Sequence, residues 1–110
     1  MLKELTKQYI NAFDKKDLDS ISNLLNDDFK LSDPAVKTNN KAESLKAIDA
    51  IFNSCENLNF SAKNIFVCEN ISIIEFILEL DSTILEGADI IEWENGKLKE
   101  LRAYLDMPKS

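Results

Sequence analysis

Apolar residues return along this chain with two different periods, and the change near Leu58 divides it into a helical part and a strand part. Before that point Leu2, Leu5, Tyr9, Ala12 and Phe13 recur at three- and four-residue intervals while Lys3, Lys7, Asn11 and Asp14 fall elsewhere, which predicts a helix packed on one side. Asp17 is placed to cap a shorter second helix that turns Leu18, Ile21, Leu24 and Leu25 toward the core and ends at Asp27-Asp28. Phe29-Lys30-Leu31 then reads as a short strand that stops at Asp33-Pro34, because proline has no amide proton and biases its predecessor away from the helical region. Asn40 with Glu43 three residues on forms a capping pair for a third helix, whose buried face carries Leu45, Ile48, Ile51, Phe52 and Cys55.

From Leu58 onward the period is two. Leu58 to Cys68, Ile71 to Leu80, Thr83 to Glu94 and Leu98 to Asp106 are four strand candidates rich in Ile, Phe and Val. Asn95-Gly96 is the strongest turn between them, since both residues tolerate the positive φ of a type I′ hairpin, and Glu69-Asn70 and Asp81-Ser82 are the weaker joints. Strands joined by short turns make an antiparallel meander, and three helices placed before it must cover one of its faces. The expectation is a single α+β domain over residues 1–110, three N-terminal helices packed on a mainly antiparallel sheet, with no linker or repeat.

Composition limits what such a domain can do. Thirteen Lys and Arg against twenty Asp and Glu leave a net charge of −7, which repels phosphate backbones and anionic lipid, so neither nucleic acid nor membrane is an expected partner. No apolar run approaches the roughly 20 residues that cross a bilayer, and Met1-Leu2-Lys3-Glu4 opens an amphipathic pattern rather than a signal peptide. The expected location is the cytoplasm. Cys55 and Cys68 lack the spacing of a disulfide framework or a CxxC motif and are expected to be small reduced core residues. The chain has no histidine, which removes imidazole-based triads and the HExxH zinc site. No run resembles an Asp-rich calcium loop either, so the expectation is a site without metal or cofactor, in which any proton transfer falls to a carboxyl, Tyr, Lys or Cys.

Alternation along the third long strand singles out one acid. Leu85, Gly87, Asp89, Ile91 and Trp93 share a face, and on the next strand Leu101, Ala103 and Leu105 alternate with Glu100, Arg102 and Tyr104, leaving the apolar set for the interior. A carboxyl on such a face is costly as an anion, so the pKa of Asp89 is expected to rise and the acid to become a hydrogen-bond donor. Satisfaction by backbone amides or by Lys63 competes with that expectation, as does a bulge at Gly87 that turns Asp89 outward. Tyr9 lies on the first core stripe, where a buried tyrosine more often serves packing. Asp33 before Pro34 is equally suited to a local turn bond.

The stretch Tyr9-Ile10-Asn11-Ala12-Phe13, then Asp17-Leu18-Asp19-Ser20-Ile21, Asp27-Asp28-Phe29 and Asp33-Pro34, resembles the opening of ketosteroid isomerases and SnoaL-like proteins of the nuclear transport factor 2-like superfamily. Asp89-Ile90-Ile91-Glu92-Trp93 and Leu101-Arg102-Ala103-Tyr104-Leu105 resemble that family's last strands. The resemblance implies a cone-shaped, curved sheet around a long helix, a deep apolar cavity for a small molecule, and pairing into homodimers through the sheet. It also implies Asp33 as a base that moves a proton next to a ketone, with Tyr9 and protonated Asp89 donating hydrogen bonds to the enolate oxygen. Phe13, Phe52, Trp93, Leu101, Ala103 and Leu105 are the expected ligand-binding wall.

Two departures stand against the isomerase pattern. The tyrosine that supports the catalytic phenol in that family is matched here by Phe52, which has no hydroxyl, and Met107-Pro108 follows the last strand with few residues to close a cavity over a large substrate. Three functions therefore remain open: a cofactor-independent enzyme of the isomerase type, a binding module without turnover, and an association domain pairing through an outer face that carries Ile84, Ile90, Leu98 and Tyr104.

Overall fold

The computed structural model describes residues 1–106. Helix α1 runs over Leu2–Asp14 and buries Tyr9, Ala12 and Phe13 of the expected stripe together with Thr6 and Ile10, while Leu2 and Leu5 are half-buried against the core. Helix α2, Leu18–Leu24, starts where the Asp17 carboxylate accepts from the Ser20 amide at 3.2 Å and from the Ser20 hydroxyl at 2.6 Å. Strand β1 follows at once over Leu25–Ser32, and only then comes helix α3, Lys41–Asn53. Asn40 Oδ1 caps α3 by accepting from the Glu43 amide at 2.9 Å, while Glu43 Oε1 accepts from the Asn39 amide at 2.9 Å. The two bonds close a reciprocal cap around the helix start.

Two expectations are corrected here. The helices do not all precede the sheet, since α3 follows β1. Leu25 and Asp27-Asp28 belong to β1 rather than to the end of α2, so the strand is longer than Phe29-Lys30-Leu31. Leu25 is fully buried, and a core-facing position alone does not tell a helix end from a strand start.

The remaining strands are β2, Leu58–Cys68; β3, Ile71–Leu80; β4, Thr83–Glu94; and β5, Lys97–Asp106. They form the antiparallel meander, and β1 joins its end in parallel with β5, so the sheet order is β1-β5-β4-β3-β2. Each two-residue joint opens with a positive φ, at Glu69, Asp81 and Asn95, and Gly96 completes the Asn95 turn at φ 79°. Asp81 is held there by tertiary bonds: its carboxylate accepts from the Glu56 amide at 3.1 Å and the Asn57 amide at 2.9 Å.

Helix α1 packs on β2 and β3 while α3 packs on β1, so both lie against the inner face of the curved sheet. The register explains which residues face inward. Ile74, Asp89 and Ala103 stand in one row across β3, β4 and β5, and Phe76, Gly87 and Leu105 stand in the next. At Gly87 a Cβ would collide with the carbonyl oxygen of Tyr104, so this strand crossing requires glycine. A register shift between Glu92 and Trp93 brings Leu98 opposite Trp93. Leu98 is consequently fully buried, correcting its expected place on the outer face. Cys68 is likewise exposed rather than a core residue, whereas Cys55 is buried.

Candidate functional site

Between α1, α3 and the sheet lies a hollow of about 70 Å³, partly open to solvent, lined by Tyr9, Phe13, Leu31, Asp33, Ile48, Ile51, Phe60, Phe76, Leu78, Asp89, Leu101, Ala103 and Leu105. Tyr9 comes from α1, Asp33 from the position directly after β1, and Asp89 from β4. The three polar groups singled out in the sequence thus share one apolar cavity. Of the expected wall, Phe13, Leu101, Ala103 and Leu105 line it. Phe52 and Trp93 do not.

Both exceptions have a physical reason. Phe52 sits behind Phe13, edge to face with ring centroids 5.0 Å apart. Trp93 is buried, but its indole Nε1 donates to Ser72 Oγ at 2.9 Å, and Ser72 is in turn bonded to Thr6 Oγ1 at 2.9 Å. Its ring ties α1 to the sheet. Conversely, Phe60 and Phe76 form much of the wall and were absent from the expected set. The inward alternation of β2 and β3 carried their signal, since Phe60 stands in the row of Leu78 and Phe76 in that of Ala62 and Gly87. The rings are continuous: Phe60 lies 4.9 Å from Phe13, 5.2 Å from Phe76 and 6.3 Å from Tyr9, centroid to centroid.

Asp89 is 4% exposed, and among the described residues its carboxyl has no hydrogen-bond partner. The register of β4 runs unbroken through Gly87, so no bulge turns Asp89 outward. Lys63 does not reach it either, pairing instead with Glu86 across the outer face at 3.3 Å. Burial first, and the charge of Asp33 second, push the Asp89 carboxyl up to about 8, so the acid keeps its proton at neutral pH. Tyr9 is also 4% exposed and has no hydroxyl partner among the described residues. Burial and then the Asp89 charge drive its phenol well above the ordinary tyrosine value. Neither group is sealed away, because the one fully enclosed polar side-chain atom lacking a partner among the described residues is Asn26 Nδ2. The open hydrogen-bonding capacity of Tyr9 and Asp89 therefore faces the cavity.

Asp33 is arranged differently. Its Oδ1 accepts from the amides of Ala35 at 2.8 Å and Val36 at 2.6 Å, the local turn bond that its place before Pro34 suggests. Its Oδ2 carries no such bond among the described residues. One oxygen of the carboxyl thus anchors a loop, while the residue also lines the hollow.

No group of three or more candidate metal ligands occurs among the described residues, and no helix there is long and apolar enough to cross a membrane. Met107-Pro108, expected to bear on cavity closure, lies outside the described residues.

A curved sheet enclosing an acid-bearing apolar hollow defines an α+β domain of the nuclear transport factor 2-like type. The chain belongs to the SnoaL-like domain family, whose sequence model matches residues 6–101. No curated protein matches the sequence. Among solved structures, an NTF2-like protein of unknown function from Cytophaga hutchinsonii is similar with a TM-score of 0.84 at 13% identity, over 96% of this chain and 90% of that one. A Kribbella flavida protein provisionally named a ketosteroid isomerase is similar with a TM-score of 0.85 at 13% identity, over 97% and 78%. A Shewanella denitrificans protein provisionally named a SnoaL-like polyketide cyclase follows at 0.82 and 14%, over 94% and 89%. At such identities the likeness establishes the fold and leaves the chemistry to the cavity.

Proposed function

We propose that this SnoaL-like domain takes a small carbonyl compound into its cavity and moves a proton on it without metal or cofactor. The Asp33 carboxylate removes a proton from the carbon beside the carbonyl, and the developing enolate oxygen accepts hydrogen bonds from Tyr9 and protonated Asp89. The same proton returns to the γ-carbon, so a β,γ double bond moves into conjugation and nothing is lost or gained. The observation that carries this reading is the buried, unpartnered Asp89, an acid whose proton is available at neutral pH. An acid kept neutral in an apolar site so that it can donate is the arrangement used by ketosteroid isomerases.

Size narrows the substrate. A cavity of about 70 Å³ lies well below the roughly 300–1,000 Å³ of pockets that hold drug-sized ligands, which limits the substrate to a molecule much smaller than a steroid. Allyl methyl ketone fits that limit, and its conversion to the conjugated isomer is followed by ultraviolet absorbance. Turnover above the buffer rate that falls by about 10²-fold or more in Asp33→Asn is the expected result. Turnover indistinguishable from buffer, or equal in the variant, overturns it and leaves a binding module.

The outer face supports a second role. Phe66, Ile73, Ile90 and Arg102 form one row across it, and Phe66, Ile84 and Tyr104 are 56%, 58% and 57% exposed. We infer that two copies pair through this face, burying apolar surface that no helix covers. Sedimentation equilibrium of the native chain against Ile73→Lys tests it: a dimer that dissociates in the variant is expected, and a monomeric native chain overturns it.

A further inference from the structure

We propose that the cavity also binds a small quaternary or alkylammonium ion, a ligand class that goes beyond the carbonyl reading and requires no turnover. The charges around the hollow come first. Helix α1 contributes Tyr9, the loop directly after β1 contributes Asp33 and β4 contributes Asp89, whereas α3, β2, β3 and β5 present only apolar side chains. Two acids thus face one cavity, and no Lys or Arg lines it. The basic groups lie elsewhere, and three of them hold other partners: Lys63 with Glu86 at 3.3 Å, Arg102 with Glu100 at 3.2 Å, and Lys16 with the Cys55 carbonyl at 2.6 Å. The cavity has the anionic half of an ion pair without the other half.

An acid cluster alone would say little, but Asp89 adds a separate observation. It is 4% exposed, lacks a partner among the described residues, and lines the hollow. A buried carboxyl in that position either keeps its proton or meets a cation. The walls then favour an organic cation over a metal ion. Tyr9, Phe13, Phe60 and Phe76 form a continuous aromatic lining, and ring faces attract alkylammonium ions while their methyl groups gain apolar contact. No group of three or more metal-ligating side chains exists among the described residues to replace the water of a hydrated metal. Tetramethylammonium, with five heavy atoms, is a small probe of the kind that a hollow of about 70 Å³ calls for.

Cation uptake favours the ionised form of Asp89, so at neutral pH one proton leaves as the ligand enters, and affinity rises with pH through about 8. The test is calorimetric titration of the full chain with tetramethylammonium chloride at about pH 6 and about pH 9 and constant ionic strength. Tert-butyl alcohol serves as an uncharged control of equal heavy-atom count. Between those conditions the ionised fraction of Asp89 climbs from about 1% to about 90%, so binding at least about tenfold tighter at the higher pH is expected. Asp89→Asn, an isosteric neutral variant, should lose that pH dependence and at least about tenfold in affinity at about pH 9, with folding verified by its thermal transition.

No saturable binding at about pH 9, equal affinity for tert-butyl alcohol, or an unchanged Asp89→Asn variant overturns the proposal. Ketone turnover measured on the same preparations separates the two assignments. Cation binding without turnover supports the ammonium site and removes the carbonyl chemistry, whereas turnover without cation binding does the reverse.

Discussion

Replacing Asp89 with Asn should stabilise the protein, by an amount that grows with pH. The ordinary carboxyl value of 3.8 holds for the unfolded chain, and the folded value is about 8. Below about pH 4 both states hold the proton, and the acid contributes no pH-dependent term. Between about pH 4 and about pH 8 the unfolded chain ionises while the folded chain does not, so native stability falls as pH rises, levelling off above that window. At about 1.4 kcal/mol per unit, the ceiling is about 2 kcal/mol near pH 5, about 4 near pH 7 and about 5 to 6 near pH 9. Water admitted through the partly open cavity screens the charge and lowers these ceilings without changing their sign. Asn has nearly the same shape and never ionises, so the variant should be free of the penalty. Urea unfolding of both proteins at about pH 5, 7 and 9 reads the difference directly. A difference that stays flat with pH, or a variant no more stable than the native chain near pH 9, would refute the claim that Asp89 is held neutral by burial.

Three further substitutions probe the frame around the site. Gly87→Ala places a Cβ against the Tyr104 carbonyl, so β4 and β5 must separate; a loss of about 2 kcal/mol or more is expected, and a urea midpoint unchanged from the native chain would show that the crossing yields freely. Asp14→Ala removes the carboxylate that accepts from the Phe60 amide at 2.7 Å, at a cost of about 1–3 kcal/mol and with faster hydrogen exchange at Phe60; unaltered exchange there contradicts the tie between α1 and β2. Asn40→Ala should cost about 1 kcal/mol by leaving the first turn of α3 uncapped, an effect that Asn40→Asp, which keeps the accepting oxygen, should largely restore.

The helical stripes, the caps at Asp17 and Asn40, and the Asn95-Gly96 turn were legible because each rests on contacts within a few residues. The inward face of β4 was legible for the same reason: alternation is a local property, and it placed Asp89 with Ile91 and Trp93. The Leu25 boundary was not, since a leucine that points to the core does so from a helix end or a strand start. Leu98 was misplaced because one shifted register between Glu92 and Trp93 reverses the side on which it emerges, and no residue in the sequence announces that shift.

The cavity depended on contacts between distant segments. Nothing in the sequence shows that Trp93 is occupied by Ser72 and Thr6, or that Phe52 stands behind Phe13. Those partners lie far along the chain, and only packing brings them together. The same holds for Asp33 and Asp89, whose mutual influence needs the parallel pairing of β1 with β5 and the antiparallel pairing of β5 with β4. Residue type and period therefore set which elements form and which acid turns inward, since these follow from backbone geometry. The volume of the hollow, its lining without Lys or Arg and the elevated proton affinity of Asp89 follow from the meeting of seven elements in space, because burial and electrostatic coupling belong to the assembled core and not to any one segment.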